Sequence, residues 1–430
     1  MKIIGRKLGF QRERLKQAFG FKGGSLSELW QIVCRLELEN GLTGTGVGVQ
    51  SILWSEPDIF AGHTETGGNL LMASLTEKAL NELEGKEFTS PSRMTEELYE
   101  ELYDYAAAVT GRPGLSRTFI WNALVPVDFA LWQLQAKLHG QETFEELIRE
   151  SAPSLRGRQE RLGQIPLISY QVSDEGIRKI LGSGDFLLKI KIGANAGRSD
   201  DYQGMLELDI RRLEQIHRIA ADYETLHTDC GRPVYYLDAN GRYDSLERMQ
   251  RFLDAADRMG ALDRIILLEE PFADGVKLKV DSLPVRVAAD ESIHEKKDVT
   301  QYIEELGYGA ITLKPIAKTL SGTLPMFEEA FQHGTPCFCA DLTVPPVMLE
   351  WNMNVAARLP TLPGLKTGVI ESNGFQNYRD WDKLRKGHPL PAAPWLNPQN
   401  GIYRLDRGFY ERFAGVLPAP EYEKIVEGEG

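Results

Sequence analysis

From residue 165 to residue 371, short apolar runs alternate with longer stretches in which apolar residues recur every three or four positions. The runs read PLISYQV, DFLLKIKI, PVYYLD, RIILLE, VRVAA, YGAITL, TPCFCA and TGVIE. Short apolar runs rich in β-branched residues and bounded by turn signals are strand-like, and the amphipathic stretches between them are helix-like. Eight strands with intervening helices predict an α/β fold with a parallel sheet. The alternative to a closed barrel is an open, doubly wound sheet. Ionisable residues at the ends of five of these strands favour closure, because a barrel gathers its strand ends into one site.

Upstream the pattern changes. Residues 31–39 and 42–49 alternate apolar and polar side chains around Asn40-Gly41, which predicts a hairpin with a type I′ turn. The stretches LTEKALNELEG and TEELYEELYDYAAAVTG have helical periodicity. A small α+β domain is therefore expected at residues 1–125, and a barrel at 126–375. The tail at 376–430 contains the loop-rich GHPLPAAPWLNPQNG and is expected to return over the first domain. Residues 194–232 form a long excursion: an amphipathic helix at 206–221, then a surface loop, with no chemistry assigned.

Composition narrows the function classes. At 430 residues the chain exceeds one average domain, and two are expected, one of them barrel-sized. Hydrophobic residues make up 42% yet no uninterrupted apolar run reaches the ~18 residues of a membrane helix. The start, MKIIGRKLGFQRERLKQ, is charged throughout and has no apolar stretch of signal-peptide length, so a cytoplasmic location is expected. Four cysteines in so long a chain do not suggest a disulfide framework, and Cys337 and Cys339 read as core residues on one side of a strand. A net charge of −13 argues against non-specific nucleic-acid binding, which needs a basic face. The acidity is mostly spread over helix surfaces such as residues 96–101, so it does not argue for a cationic substrate.

The chemistry lies where the apolar runs end. FLLKIKIG carries Lys189 and Lys191, YYLDAN carries Asp238 and Asn240, IILLEEP carries Glu269, VRVAADES carries Asp290 and GAITLKP carries Lys314. From Asp238 to Lys314 successive members are 31, 21 and 24 residues apart, close to the roughly 30 residues of a βα unit. Asp238, Glu269 and Asp290 thus offer three oxygen donors from separate strands. That describes a hard-cation site, best suited to Mg²⁺, with acid/base groups beside it. Lys189 and Lys191, two residues apart on one strand, share a face.

These motifs, LLKIKIG, LDAN, LLEEP, AADES and TLKP, resemble in order and spacing the KxK, DxN, ExP, DE and Lys pattern of the enolase superfamily. They are most similar to its muconate-lactonizing branch, in which Lys takes the place that the mandelate racemase branch gives to a His–Asp dyad. FALWQLQAKLHG at 129–140 resembles the helix that enters the family's barrel, with Gln133 where an Asp usually follows the Trp. LELENGLTGTGVGV resembles the hairpin of its capping domain, with Val47 where an acidic residue is often found. The resemblance covers roughly residues 1–375. It implies a modified (β/α)8 barrel, of the TIM type and (β/α)7β order, with an N-terminal α+β capping domain.

The resemblance also implies a reaction. A Mg²⁺-dependent enzyme of this kind abstracts the proton α to a substrate carboxylate and stabilises the resulting enolate. The family pattern selects Glu269 over Glu270 and Asp290 over Glu291 as metal ligands. Lys191 is then the base, with Lys189 supplying a positive charge and a hydrogen bond to the substrate carboxylate. Lys314, about half-way round the barrel, would serve the opposite face of the α-carbon, and two opposed lysines permit racemisation or epimerisation. The same pair permits cycloisomerisation or dehydration. A reading from another class is a non-catalytic barrel that binds a metal and an acid. A Schiff-base aldolase fits poorly beside three metal-type carboxylates.

Substrate selection is expected at strand ends and in covering loops. Asp341 ends the seventh strand, and Glu371, Ser372 and Asn373 end the eighth. Asp341 and Glu371 either hold an ammonium group of an amino-acid or dipeptide substrate or bond to barrel groups. Phe19 and Phe21 flank Gly20 in a glycine-rich loop expected to fold over the lysines, with residues 54–63 as a second wall. The expected partner is a small-molecule carboxylate, and the expected state a homo-oligomer.

Overall fold

The chain opens as a three-stranded antiparallel sheet of β1 (Ile3–Phe21), β2 (Gly24–Leu38) and β3 (Thr43–Gln50). The structure is a computed structural model that describes residues 1–22, 24–197, 200–412 and 420–428. Strand β1 has no apolar signature, because RKLGFQRERLKQ is largely solvent-facing on both sides. It forms by pairing with β2, from Ile3 opposite Leu38 to Phe21 opposite Gly24. The expected loop at 19–24 is therefore the tip of a hairpin, with Gly23 outside the described residues. The second hairpin forms, but not with a type I′ turn. Such a turn needs positive φ at both central residues, and of the pair only Gly41 has it, at 83°. Asn40 instead accepts a hydrogen bond from Leu42 N at 3.1 Å through its side chain.

Glycines alternate along β3 for a reason. A Cβ on Gly46 would lie 1.8 Å from Pro126 O, and one on Gly44 2.2 Å from Ala130 O. The strand thus lies backbone to backbone against the helix Arg117–His139, a closeness only glycine allows. Two further helical segments complete this unit, Pro57–Leu83, broken by a kink at Thr64 with φ 63°, and Pro91–Thr110. Ser90 caps the second of these, accepting from Arg93 N, and Gly111 ends it with φ 66°. Their apolar faces meet in a core that includes Met72, Leu98, Leu102 and Leu124.

The helix Arg117–His139 also leads into the barrel. Its Asp128 accepts from Thr95 Oγ1 at 2.9 Å on one side and from Leu320 N at 2.8 Å on the other. Gln133 accepts from Thr45 N at 2.7 Å, so the amide at this position serves the sheet backbone.

The larger sheet contains β4 (Arg161–Ile165), β5 (Leu167–Ile168), β6 (Leu187–Lys191), β7 (Val234–Asp238), β8 (Ile265–Glu269), β9 (Val287–Ala289), β10 (Ala310–Leu313), β11 (Cys337–Cys339), β12 (Gly368–Glu371) and β13 (Ile402–Arg404). Its order is β13-β4-β12-β11-β10-β9-β8-β7-β6-β5. Strands β4 and β5 are one extended segment interrupted at Pro166, so the order returns to its own start. Lys189 N donates to Pro166 O at 3.1 Å across the join. The result is a parallel barrel of eight strand positions, with β13 added antiparallel to β4. The N-terminal half of its interior is filled by Leu187, Val234, Tyr236, Leu267, Ala288 and Phe338.

Helices follow most strands, as in Tyr202–Ala220, Leu246–Arg258 and Leu320–Gln332. Between β8 and β9 no helix forms among the described residues. That segment, 270–286, holds Pro271, Gly275 and Pro284 and has no helical periodicity. The excursion at 194–232 carries the expected helix as Tyr202–Ala220 and then a loop, residues 198–199 being outside the description. Cys337 and Cys339 are buried on one side of β11 with free thiols, as their alternation implied. In the tail, helix Pro420–Glu427 meets the first sheet, where Tyr422 Oη donates to Gln31 Oε1 at 2.9 Å. Residues 413–419 and 429–430 of this tail lie outside the described residues. No helix among the described residues is long and apolar enough to cross a membrane.

Candidate active site

Parallel pairing in register sets the ionisable residues side by side. Lys191 is opposite Asp238, and Asp238 is opposite Glu269, at the C-terminal ends of β6, β7 and β8. Asp290 follows β9 directly, and Lys314 follows β10. Because strand residues two apart share a face, Lys189, Tyr236 and Thr312 form the layer beneath.

Lys189, 3% exposed, organises this layer. Its Nζ lies 2.9 Å from Asp238 Oδ2, 3.0 Å from Glu269 Oε2 and 2.9 Å from Glu371 Oε2. Burial opposes its charge, but the three carboxylates outweigh burial and hold its pKa well above the ordinary lysine value. Its ammonium also sits 4.6 Å from the centre of the Tyr236 ring. Tyr236 Oη and Thr312 Oγ1 both donate to Glu269. Even so, burial and the neighbouring Asp238 raise the Glu269 pKa.

Lys191 Nζ lies 2.7 Å from Asp238 Oδ2 and also donates to Asn240 Oδ1. Burial disfavours the Asp238 anion, but Lys189 and Lys191 hold its pKa well below the usual carboxylate range. Lys314 pairs with Asp290 on the other side of the barrel. Four strand positions separate β6 from β10 in a ring of eight, so Lys191 and Lys314 face each other. Burial opposes the charge of Lys314, and Asp290 and Glu269 reverse that effect and raise its pKa. Asp290 is brought down to about 2 against burial, chiefly by Lys314 and Lys318.

The neighbours that the motif excludes go elsewhere. Glu270 accepts from Asp290 N at 2.8 Å and from the Ser292 hydroxyl. Glu291 stays at the rim, accepting from Asn240 Nδ2 at 3.0 Å and pairing with Lys22 at 3.1 Å.

Asp341 and Glu371 have fixed partners within the barrel. Asp341 accepts from Leu342 N at 2.8 Å and from Asn373 N at 2.8 Å. Burial and Glu371 raise its pKa to about 7. Glu371 accepts from Lys189, from Asp341 N at 3.0 Å and from Asn373 Nδ2 at 3.2 Å.

A narrow cavity of about 50 Å³ brings together Phe19, Phe21, Lys189, Lys191, Asp238, Asn240, Asp290, Lys314, Asp341 and Glu371. Glu269, fully buried, lies beneath it. Phe21 stands over Lys191 with its ring centre 5.6 Å from Nζ, and Trp54 stands 4.6 Å from Lys314 Nζ. Of the second wall, residues 54–63, only Trp54 lines this cavity.

Two features were not read from the sequence. Lys318, fully buried, donates to Asp290 O and lies 3.2 Å from its Oδ1. It follows the strand by a turn, where strand alternation gives no signal. Lys22, with φ 46°, ties the hairpin tip to Trp54 O at 2.8 Å within the cap and to the barrel through Glu291.

As the side chains stand, no group of three Asp, Glu, His or Cys among the described residues is arranged to hold a metal ion. Ammonium groups neutralise the carboxylates instead. The donors nevertheless fit a hard cation. All three are oxygen ligands, Asp238 and Glu269 cannot be far apart because both touch one nitrogen, and Asp290 Oδ1 is buried and accepts no hydrogen bond, with only the Lys318 ammonium 3.2 Å away.

No family model matches the chain. Its fold is that of the mandelate racemase/muconate lactonizing proteins, as the motifs implied. One such protein from Herpetosiphon aurantiacus matches with a TM-score of 0.67 at 18% identity, over 96% of this chain and 97% of that one. A dipeptide epimerase from Cytophaga hutchinsonii, complexed with Mg and the dipeptide D-Ala-L-Val, matches with a TM-score of 0.68 at 16% identity, over 96% and 95%. In sequence, the chain is 26% identical over 245 residues to an L-Ala-D/L-Glu epimerase from Clostridium acetobutylicum. That match spans 55% of this chain and 58% of that enzyme.

Proposed function

We propose that this chain is a Mg²⁺-dependent racemase or epimerase of the enolase superfamily, acting on a small carboxylate substrate. The observation that carries the reading is the placement of Lys191 and Lys314 on opposite sides of a covered cavity, with Asp238 and Asp290 between them. Asp238, Glu269 and Asp290 would hold the cation. When bound, such a cation supplies positive charge against the negative charge that develops on the substrate carboxylate as its α-proton leaves.

The lysines do the proton work. Lys191 removes the α-proton from one face and Lys314 delivers one to the other, which inverts the centre. Carboxylates shared with a cation hold their ammonium partners less tightly, so Lys314 loses part of what keeps it protonated. Lys189 fixes Asp238, Glu269 and Glu371 in place through its three contacts. Phe19, Phe21 and Trp54 keep water from the reacting carbon. In this reading residues 126–375 carry the chemistry, and 1–125 with the tail at 376–430 form the cover.

Cycloisomerisation and dehydration would use the same groups, and the likeness to epimerases supports inversion over both. It also supports a dipeptide or amino-acid derivative as substrate. The test is a panel of such carboxylates incubated with Mg²⁺ in D₂O. Inversion with deuterium at the α-carbon is expected. A panel in which no compound gains α-deuterium or turns over would overturn the reading.

A further inference from the structure

Beside the active-site cavity lies a second, solvent-open one of about 580 Å³, and Phe21 lines both. Its walls come from the hairpin tip, from Gly193 to Asn195 just beyond Lys191, from Arg242 just beyond Asn240, and from the helix Tyr202–Ala220. Four cations line it, Lys22, Arg211, Arg212 and Arg242, and no acidic residue does among the described residues. That is unexpected in a chain of net charge −13.

The cations differ in how they are held. Arg212 is fixed, its guanidinium donating to Ser169 O at 2.9 Å and Val172 O at 2.7 Å, with Nε buried and unpaired. Arg211 has Glu207 at 3.9 Å as a distant counter-charge. Arg242 packs its stem on Gly193, where a Cβ would come within 2.6 Å of its own Cβ. Its guanidinium makes no ion pair or side-chain hydrogen bond among the described residues. Guanidinium groups gathered in a concavity repel one another unless an anion joins them, and their fork geometry suits carboxylate or phosphate oxygens.

We propose that this annex binds a second anionic group, a carboxylate or phosphate, with Arg242 and Arg211 as its contacts and Arg212 as fixed background charge. The group is the distal end of the substrate whose reacting carboxylate sits by Lys191 and Lys314. This rests on the proposed function for its location but not for its test. A free small anion has the same chemistry and is the other source.

Calorimetric titration separates these outcomes. L-Ala-L-Glu, L-Ala-L-Gln and inorganic phosphate are titrated, with Mg²⁺ present, into the wild-type chain and into Arg211→Ala/Arg242→Ala. The acidic dipeptide should bind at least about tenfold tighter than its neutral isostere, a difference of about 1.4 kcal/mol. That preference should collapse in the double variant, with Arg242→Lys keeping part of it. Phosphate binding that the double variant loses, without any preference between the dipeptides, assigns the annex to a free anion. Equal affinities for all three probes in wild type and double variant, with unchanged melting temperature, overturn the proposal. Deuterium uptake at the α-carbon, followed on the same samples in D₂O, judges the proton-abstraction reading separately. Discrimination without deuterium uptake counts against that reading for these dipeptides and leaves the annex standing.

Discussion

Replacing Lys189 by Met removes an ammonium that touches three buried carboxylates at 2.9–3.0 Å. Breaking a buried ion pair by deleting one partner costs about 3–5 kcal/mol, because the other charge stays buried and unpaired. Here Asp238 keeps Lys191, while Glu269 and Glu371 keep only neutral donors, so the same range applies. An unfolding entropy of about 2.1 cal/mol/K per residue, over 430 residues, converts it to a loss of roughly 3–6 °C in Tm. The sign with pH is definite. The folded pKa of Lys189 lies above its ordinary 10.5, so its stabilisation is whole below that value and is lost only in stronger alkali. Loss of the lysine leaves carboxylates that shed their cost by protonation, so the gap to wild type should be wider at pH 8 than at pH 5.5. Scanning calorimetry at one scan rate, with and without Mg²⁺, is the assay. If the carboxylates also hold a cation, Mg²⁺ should narrow the gap. Lys297→Met, a control whose side chain is 72% exposed, should shift Tm by less than about 1 °C. A Lys189→Met loss no larger than this control would refute the electrostatic argument, and a gap indifferent to Mg²⁺ would refute the shared carboxylates.

Three further outcomes are expected. Lys191→Ala should slow inversion by about 10²–10⁴-fold, and Lys314→Ala should abolish inversion while one enantiomer still exchanges its α-proton with D₂O; variants within threefold of wild type would remove the lysines from the chemistry. Phe19→Ala/Phe21→Ala should cut turnover or change substrate preference far more than it lowers Tm, and unchanged kinetics would take the hairpin tip out of the site. Asp185, buried with no partner for its Oδ1, has its pKa raised to about 7 by burial, so its folded state favours the proton and loses stability as pH rises from about 4 through 7. Asp185→Asn should therefore stabilise the fold at pH 8, by at most about 4 kcal/mol, and change little at pH 4; a variant whose Tm at pH 8 is no higher than that of wild type would contradict this.

The strand ends were legible because their signal is local. An apolar run followed by Lys189 and Lys191, or by Asp238 and Asn240, states both the strand and the face, since alternation has period two. The same rule would have yielded Tyr236 and Thr312, two residues before Asp238 and Lys314. Glycine alternation in TGTGVGV was legible as a strand, but that it faces Pro126 and Ala130 was not. Strand β1 was hidden because its stability comes from pairing with β2 and not from an apolar face of its own.

The residues of this chain determine by themselves a barrel with carboxylates and lysines at its strand ends, because those positions follow from local periodicity. Tertiary structure decides which charges meet. Glu371 reaches Lys189 across 182 residues of chain, and Lys22 reaches Glu291 from the hairpin tip. Both pairings depend on ring closure and on how the cap lies on the barrel, which are three-dimensional facts with no local periodicity. The cation-lined annex is of the same kind: Arg242, Arg211 and Lys22 belong to three separate elements, and only packing makes them neighbours.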